Sequence, residues 1–313
     1  MLKPYLKTFV VFLLTATPVC GQDLVALKTA TREFETGVGF LGDRIRFAGQ
    51  DATDFGNDLQ IKVVDARANY GKISLNKSEN LGTGAKRKWA YAVAPNRDIF
   101  VIDTKPPSQS GDRVRLTIRS PVYGYRGGDY AKHYVTALEA TDANWSFLVA
   151  PNRELVAVNR KGNNGKTEVH MLASRRGGYR KDKYSYFSGH FSTGLHTTDA
   201  NWEFMMAANR DLIAVNRKGS DDTVDIHVLT AASNYRTFGA HHSSVLHTVD
   251  DNWDFALDIN RDVIAMNRKG TDGKTELHRL SAAHEYKAFT GHHSSVLSDI
   301  DKSWTLAIFP PGQ

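Results

Sequence analysis

Four histidines fall at one recurring position of this chain, His133, His190, His241 and His292, each five residues ahead of a leucine (Leu138, Leu195, Leu246 and Leu297). In the two most alike copies the position widens to His241-His242 and His292-His293. There it follows Phe238 and Phe289 and precedes Ser243-Ser244 and Ser294-Ser295. An imidazole beside an aromatic ring, with hydroxyls close by, suits a sugar. The apolar face of a pyranose stacks on a ring while its hydroxyls need donors and acceptors in fixed places. His133, His190, His241, His292, Phe238, Phe289, Ser243 and Ser294 are therefore the candidate ligand-binding residues. Two other readings stay open: hydrogen bonds between neighbouring sheets, or ligation of zinc by adjacent imidazoles. Neighbours in a strand face opposite ways, so a His-His pair is a poor chelate for one ion. No metal site and no cofactor is assigned.

Three further patterns repeat. An acid and a histidine two residues apart, Glu168/His170, Asp225/His227 and Glu276/His278, share one strand face, where a carboxylate can orient an imidazole. The first two copies carry Gln60/Lys62 and Arg113/Arg115 instead, which favours a polar ladder between strands over three active sites. The turn Asn-Arg-Asp/Glu recurs at Arg97-Asp98, Arg153-Glu154, Arg210-Asp211 and Arg261-Asp262, with Asp23 alone in a fifth copy. Each acid arrives with an arginine, so a belt of ion pairs between units is expected rather than a ring of acids around a channel. The turn Asn-Arg-Lys-Gly, at Arg160-Lys161, Arg217-Lys218 and Arg268-Lys269, implies a cationic rim that nearby Asp-rich turns neutralise.

The spacing of the five tryptophans shows what must position these residues. Trp89, Trp145, Trp202, Trp253 and Trp304 are separated by 56, 57, 51 and 51 residues, the rhythm of a repeat array. The unit from Trp202 holds WEFMMA, DLIAVNRKG, TVDIHVLTA and NYRTFGAHHSSVL. These are four short alternating or β-branched segments separated by turn residues, with no sustained helical period. Four strands in about 50 residues is one blade of a β-propeller. The chain ends on a first strand, SWTLAIF, and QDLVALKTA near its beginning reads as a second strand. Joined, they complete a blade. The expected fold is all-β: a five-bladed propeller of four-stranded blades, closed by strands from both ends over residues 22–313. Closure of the ring removes exposed sheet edges. The tryptophans read as packing residues between blades.

Residues 1–21 read as a secretory signal, with Lys3 and Lys7 before an apolar run and small residues near Gly21. Removing those two lysines and no acid takes the net charge from +6 to +4. The pI of about 9.2 comes without a Lys/Arg block, which speaks against a nucleic-acid partner. No other apolar run is long enough to span a membrane. The single cysteine, Cys20, lies within the signal, so stability has to come from a buried core and not from disulfides. An insertion at about 31–57 interrupts the closure blade, as a lid or partner-binding arm would, and carries Asp51 and Asp54, with Asp58 just at its end.

The phrases NRDLIAVNRKG, KTEVHML, KTELHRLSAA and the TDANW linker resemble FG-GAP/VCBS-like propeller repeats. That resemblance covers residues 22–313 and implies a secreted microbial protein of the kind often joined to cell-wall hydrolases. Many such repeats bind calcium in an Asp-rich loop. Here the corresponding turns, AANRD, APNRE, APNRD and DINRD, are too short to supply six to eight oxygens. The function expected is non-enzymatic binding of a glycan or cell-wall polysaccharide through repeated weak sites. Two alternatives remain: a five-bladed glycosidase acting on furanosides, which needs singular carboxylates at the axis, and a protein-binding module using the insertion as its arm. The sequence leaves the oligomeric state open.

Overall fold

A computed structural model describes residues 22–32, 56–83, 88–105, 112–174 and 183–309. The expected signal (1–21), most of the insertion (including Asp51 and Asp54) and residues 106–111 lie outside the described residues. Among the described residues, twenty strands form five antiparallel four-stranded sheets. Blade I joins β20 (Trp304–Ile308) to β1 (Leu24–Arg32), β2 (Gly56–Val64) and β3 (Ile73–Thr83). Blade II is β4 (Trp89–Val93), β5 (Ile99–Asp103), β6 (Arg113–Arg119) and β7 (Lys132–Glu139). Blade III is β8 (Trp145–Val149), β9 (Leu155–Asn159), β10 (Lys166–Leu172) and β11 (Phe187–His196). Blade IV is β12 (Trp202–Met206), β13 (Leu212–Asn216), β14 (Thr223–Leu229) and β15 (Phe238–His247). Blade V is β16 (Trp253–Leu257), β17 (Val263–Asn267), β18 (Lys274–Leu280) and β19 (Phe289–Ser298).

The ring closes as the half-repeats imply. β20 pairs antiparallel with β1, Trp304 opposite Lys28 and Ile308 opposite Leu24. Among the described residues the helical elements are short 3-10 turns, and no helix is long and apolar enough to cross a membrane.

The core is divided into five layers, one at each junction between blades. This division explains why the second strand of every blade reads as an unbroken apolar run. In β13, Leu212 and Ala214 face the layer shared with blade III, while Ile213 and Val215 face the layer shared with blade V. A strand sandwiched on both faces has no polar side.

Polar staples cross the same junctions. Arg97 pairs with Asp23, Arg153 with Asp98 at 2.5 Å, Arg210 with Glu154 at 2.7 Å and Arg261 with Asp211 at 3.5 Å, so the Asn-Arg-Asp/Glu turns do form a belt. The belt breaks between blades V and I, where Arg279 of β18 takes Asp262 at 2.5 Å. Five tyrosines, Tyr70, Tyr125, Tyr184, Tyr235 and Tyr286, sit at left-handed corners with φ of 60° to 64°. In blades II to V the tyrosine hydroxyl donates to the carbonyl of the belt arginine; Tyr70 donates to Gln22 instead.

The cationic rim needs correction. Arg160, Arg217 and Arg268 cross to the next blade and donate to the main-chain carbonyls of Trp202, Trp253 and Trp304 at 2.9–3.0 Å. Arg268 is buried and pairs with Asp254. A guanidinium reaches a carbonyl that its neighbour Lys218 or Lys269 does not, so only the lysines remain as rim.

Candidate functional site

The two histidine patterns are one feature. In blade III the register sets His170 of β10 directly opposite His190 of β11, and Glu168 opposite Ser192. Blade IV repeats this with His227 opposite His241, and blade V with His278 opposite His292. Acid, inner histidine and outer histidine thus share one sheet face. Three clusters result: Glu168–His170–His190, Asp225–His227–His241 and Glu276–His278–His292, each with its ligating atoms within 4.8 Å of one another. The spacing along one strand showed the acid and the inner imidazole. Only the cross-strand register adds the outer one.

Each cluster is walled by aromatics. The inner imidazole lies 5.0–5.3 Å from the tryptophan of its own blade (Trp145, Trp202 or Trp253). It lies 5.7–5.9 Å from Phe187, Phe238 or Phe289. The outer imidazole stacks on the inner at 4.2–4.6 Å with planes within 18°. The phenylalanines remain 44–46% exposed, an apolar ring offered to solvent at the same place three times. Four of the tryptophans are only half buried, and three of them, Trp145, Trp202 and Trp253, face this aromatic column, whereas Trp304 alone is fully packed.

The carboxylates are held from behind. Glu168 accepts from the Asn163 backbone N–H at 2.9 Å, and Glu276 from that of Thr271 at 2.8 Å, each through Oε1. Oε2 then faces the imidazoles: 3.6 and 3.5 Å to His170 and His190 Nε2, 3.6 and 3.8 Å to His278 and His292 Nε2. These separations exceed hydrogen-bond length. Nε2 of His170 and of His278 is buried and makes no hydrogen bond. Asp225 is one methylene shorter. It accepts from the Ser220 N–H at 2.9 Å and from the Ser243 hydroxyl at 3.0 Å, and approaches His241 at 3.5 Å.

A glycine makes room for each carboxylate. A Cβ on Gly162, Gly219 or Gly270 would lie 2.3 Å from a side-chain carbon of Glu168, Asp225 or Glu276. The glycine of the Asn-Arg-Lys-Gly turn is there for close approach; its φ, −70°, −75° and −72° in the three copies, is ordinary.

Protonation follows from burial. Burial first, and then the partner imidazole, pushes His170 and His278 below the usual histidine range and His227 down to about 4. Burial alone would raise Asp225 and Glu276, but hydrogen bonds from their turns and the neighbouring imidazoles hold both carboxyls low. Near neutral pH the inner imidazole of each cluster is therefore neutral.

Blades I and II lack the cluster. Through the tryptophan-centred register, Gln60 and Lys62 occupy the acid and inner-histidine positions in blade I. In blade II those positions are Arg115 and Thr117, two residues beyond the Arg113/Arg115 alignment read from sequence. His133 is exposed and contacts Thr117 at 3.0 Å through Nδ1. Ser294 is exposed, and Ser243 is bound to Asp225. Ser244 and Ser295 are buried and accept from Leu246 and Leu297 N–H, so these two are structural.

Grooves run at the blade junctions, two of them beside a cluster. One of about 410 Å³ is lined by Leu138, Glu139, Trp145, His170, Phe187 and His190. A second, about 610 Å³, runs past Trp253 and Phe289. A third, about 330 Å³, contains Trp89, Arg115 and His133. The axial channel, about 410 Å³, is lined by the first strands and includes Glu203. Burial and the charge of Asp254 push Glu203 up to about 7. Its carboxylate accepts from Arg217 at 2.6 Å and from the Phe255 N–H at 3.1 Å, stapling blade IV to blade V.

No protein-family model and no curated protein matches the chain. Among solved structures it is similar to a puromycin hydrolase, with TM-score 0.42 and 12% identity over 88% of this chain and 36% of that one. It is also similar to dipeptidyl peptidase 4 of Porphyromonas gingivalis, with TM-score 0.30 and 11% identity over 79% of this chain and 38% of that one. The chain spans little more than a third of the length of these proteins. Its architecture rests on its own strand pairing.

Proposed function

We propose that this chain is a secreted, non-enzymatic propeller that binds carbohydrate in the grooves between blades, through several weak equivalent sites. The carrying observation is one groove chemistry met three times: a half-exposed phenylalanine, a tryptophan-backed imidazole pair and an anchored carboxylate. Apolar sugar faces stack on such rings while imidazole and carboxylate address hydroxyls. Equivalent sites around one disc give avidity on a polymer that single-site affinity would not supply. Blades I and II stack without the cluster, so blade packing does not require it. The kinship with FG-GAP/VCBS-like repeats, and a cell-wall polysaccharide as the partner, belong to the same proposal.

The test is a glycan array and pull-down on insoluble cell-wall polysaccharides. The wild type is compared with the Phe187→Ala/Phe238→Ala/Phe289→Ala variant. Binding by the former and its loss in the latter is expected; absence of any binding by a folded wild type ends the proposal.

One observation favours a second reading, a glycosidase. Glu203 and Asp254 are acids that blades I to III do not repeat at the matching positions, where Thr305, Ala90 and Ser146 stand. Release of sugar from arabinan or fructan, abolished by Glu203→Gln, would establish it.

A further inference from the structure

We propose that the Glu–His–His clusters of blades III and V, and less tightly the Asp–His–His cluster of blade IV, each bind a divalent transition-metal ion of the zinc class. Two imidazoles and one carboxylate are a common donor set for such ions, leaving further positions open to water or ligand. Metal–ligand bonds of about 2.0–2.2 Å place neighbouring ligand atoms of a tetrahedron roughly 3.3 Å apart. The Glu168 Oε2 distances to His170 and His190, 3.6 and 3.5 Å, are within a few tenths of that. Those to His278 and His292 from Glu276 are 3.6 and 3.8 Å.

A second observation is independent of the spacing. Buried polar atoms normally find hydrogen-bond partners, yet Nε2 of His170 and of His278 is buried, bonds to nothing and faces the carboxylate. An ion between them removes that cost. The carboxylate is also pre-set, one oxygen pinned to a turn N–H and the other free toward the imidazoles, the outer support expected of a ligand. Asp225 has both oxygens engaged by Ser220 and Ser243, which makes blade IV the weakest site.

One movement is required. The two imidazoles of a pair stack nearly parallel, and an ion in the plane of both rings needs one of them turned edge-on. His190 and His292 are the mobile partners: 51% and 57% of their side-chain surface is exposed, while the inner rings are held between tryptophan and phenylalanine.

The inference does not rest on carbohydrate binding, and its test uses no glycan. Untagged full-length protein is stripped with a chelator and titrated with Zn²⁺ and Co²⁺ at neutral pH, with bound metal counted by mass spectrometry. Two to three ions per chain are expected, in line with the three clusters. His190→Asn and His292→Asn should each remove one, and Gly162→Ala, which displaces the carboxylate, should weaken its site about 10–100-fold. Failure to retain any ion, or uptake unchanged in the His190→Asn/His241→Asn/His292→Asn variant, overturns the proposal. If that variant does not fold, the cobalt spectrum of the unaltered chain decides. Intense visible bands of a four- or five-coordinate ion support the site, and a weak octahedral spectrum refutes it.

Discussion

Blades III, IV and V differ from blades I and II around a tryptophan that all five share. In the first group an imidazole pair and a carboxylate cover it. In blade I, Lys62 and Lys28 lie over Trp304 at 4.9 and 5.7 Å, and in blade II Arg115 and Thr117 take the places of acid and inner histidine. The interior does not register this difference: every blade keeps a doubly buried second strand, a corner tyrosine and a layer of core on either side. Blade stacking and groove chemistry are therefore separable. What varies at the groove is free to serve a ligand, because the apolar layers and the pairing of β20 with β1 already close the ring.

The separation can be tested most strongly at the arginine that follows the second strand in blades III to V, Arg160, Arg217 and Arg268. Arg268→Ala leaves Asp254 buried without its partner, a change that typically costs about 3–5 kcal/mol. Thr104 holds the same place in blade II and makes one hydrogen bond to Lys88 O, so Thr104→Ala should cost only about 1 kcal/mol. Urea unfolding of the two variants compares them directly; equal losses would mean that the blades are not built by different means here.

Next come the glycines. Gly162→Ala and Gly270→Ala place a methyl group where the carboxylate lies, with an expected loss of about 1–3 kcal/mol, measured by the same unfolding curves. Retained stability together with weakened metal uptake would show that the carboxylate moves aside at little cost.

Acid should act chiefly on blades III to V, with His133 of blade II a further group that burial and Arg119 push down. His170, His227 and His278 titrate lower in the folded chain than in the unfolded one, so the unfolded state binds more protons as pH falls. Stability of the metal-free protein should be level above about pH 7. It should then decline as the pH drops from about 6.5 toward 4, where His227 titrates. The variant with His170, His227 and His278 replaced by Gln should show a flatter profile over that window.

Installing the cluster in blade II sharpens the comparison further. Arg115→Glu with Thr117→His, beside His133, should add one bound ion per chain without altering the fold by circular dichroism. The smallest effect on stability is expected from Phe238→Ala: the ring is half exposed, so unfolding should shift by no more than about 0.5 kcal/mol while groove binding falls.

Much of this architecture was legible in the residues. Tryptophan spacing gave the blade count, the strand wording of DLIAVN marked the buried second strand, and complementary end segments gave the closure through β20 and β1. The arginine–acid belt was also readable, since each turn carries both partners. The five tyrosine corners went unread, although four of them, Tyr70, Tyr125, Tyr235 and Tyr286, each follow an Asn, Gly or Glu in a left-handed conformation. The Asn-Arg-Lys-Gly turn was misread as a rim because sequence does not show how far a guanidinium reaches.

Sequence alone thus determined which residues alternate, where turns fall and how often the unit repeats, because these depend on local period and composition. Tertiary structure decided that His190 stands opposite His170 and that Glu168 completes the group. Register between strands is set by hairpin geometry and by which face must be buried, and a bulge between Lys166 and Glu168 shifts it beyond simple counting. Contacts made across a hairpin, with the carboxylate tucked against a glycine of the preceding turn, exist only once the blade has folded.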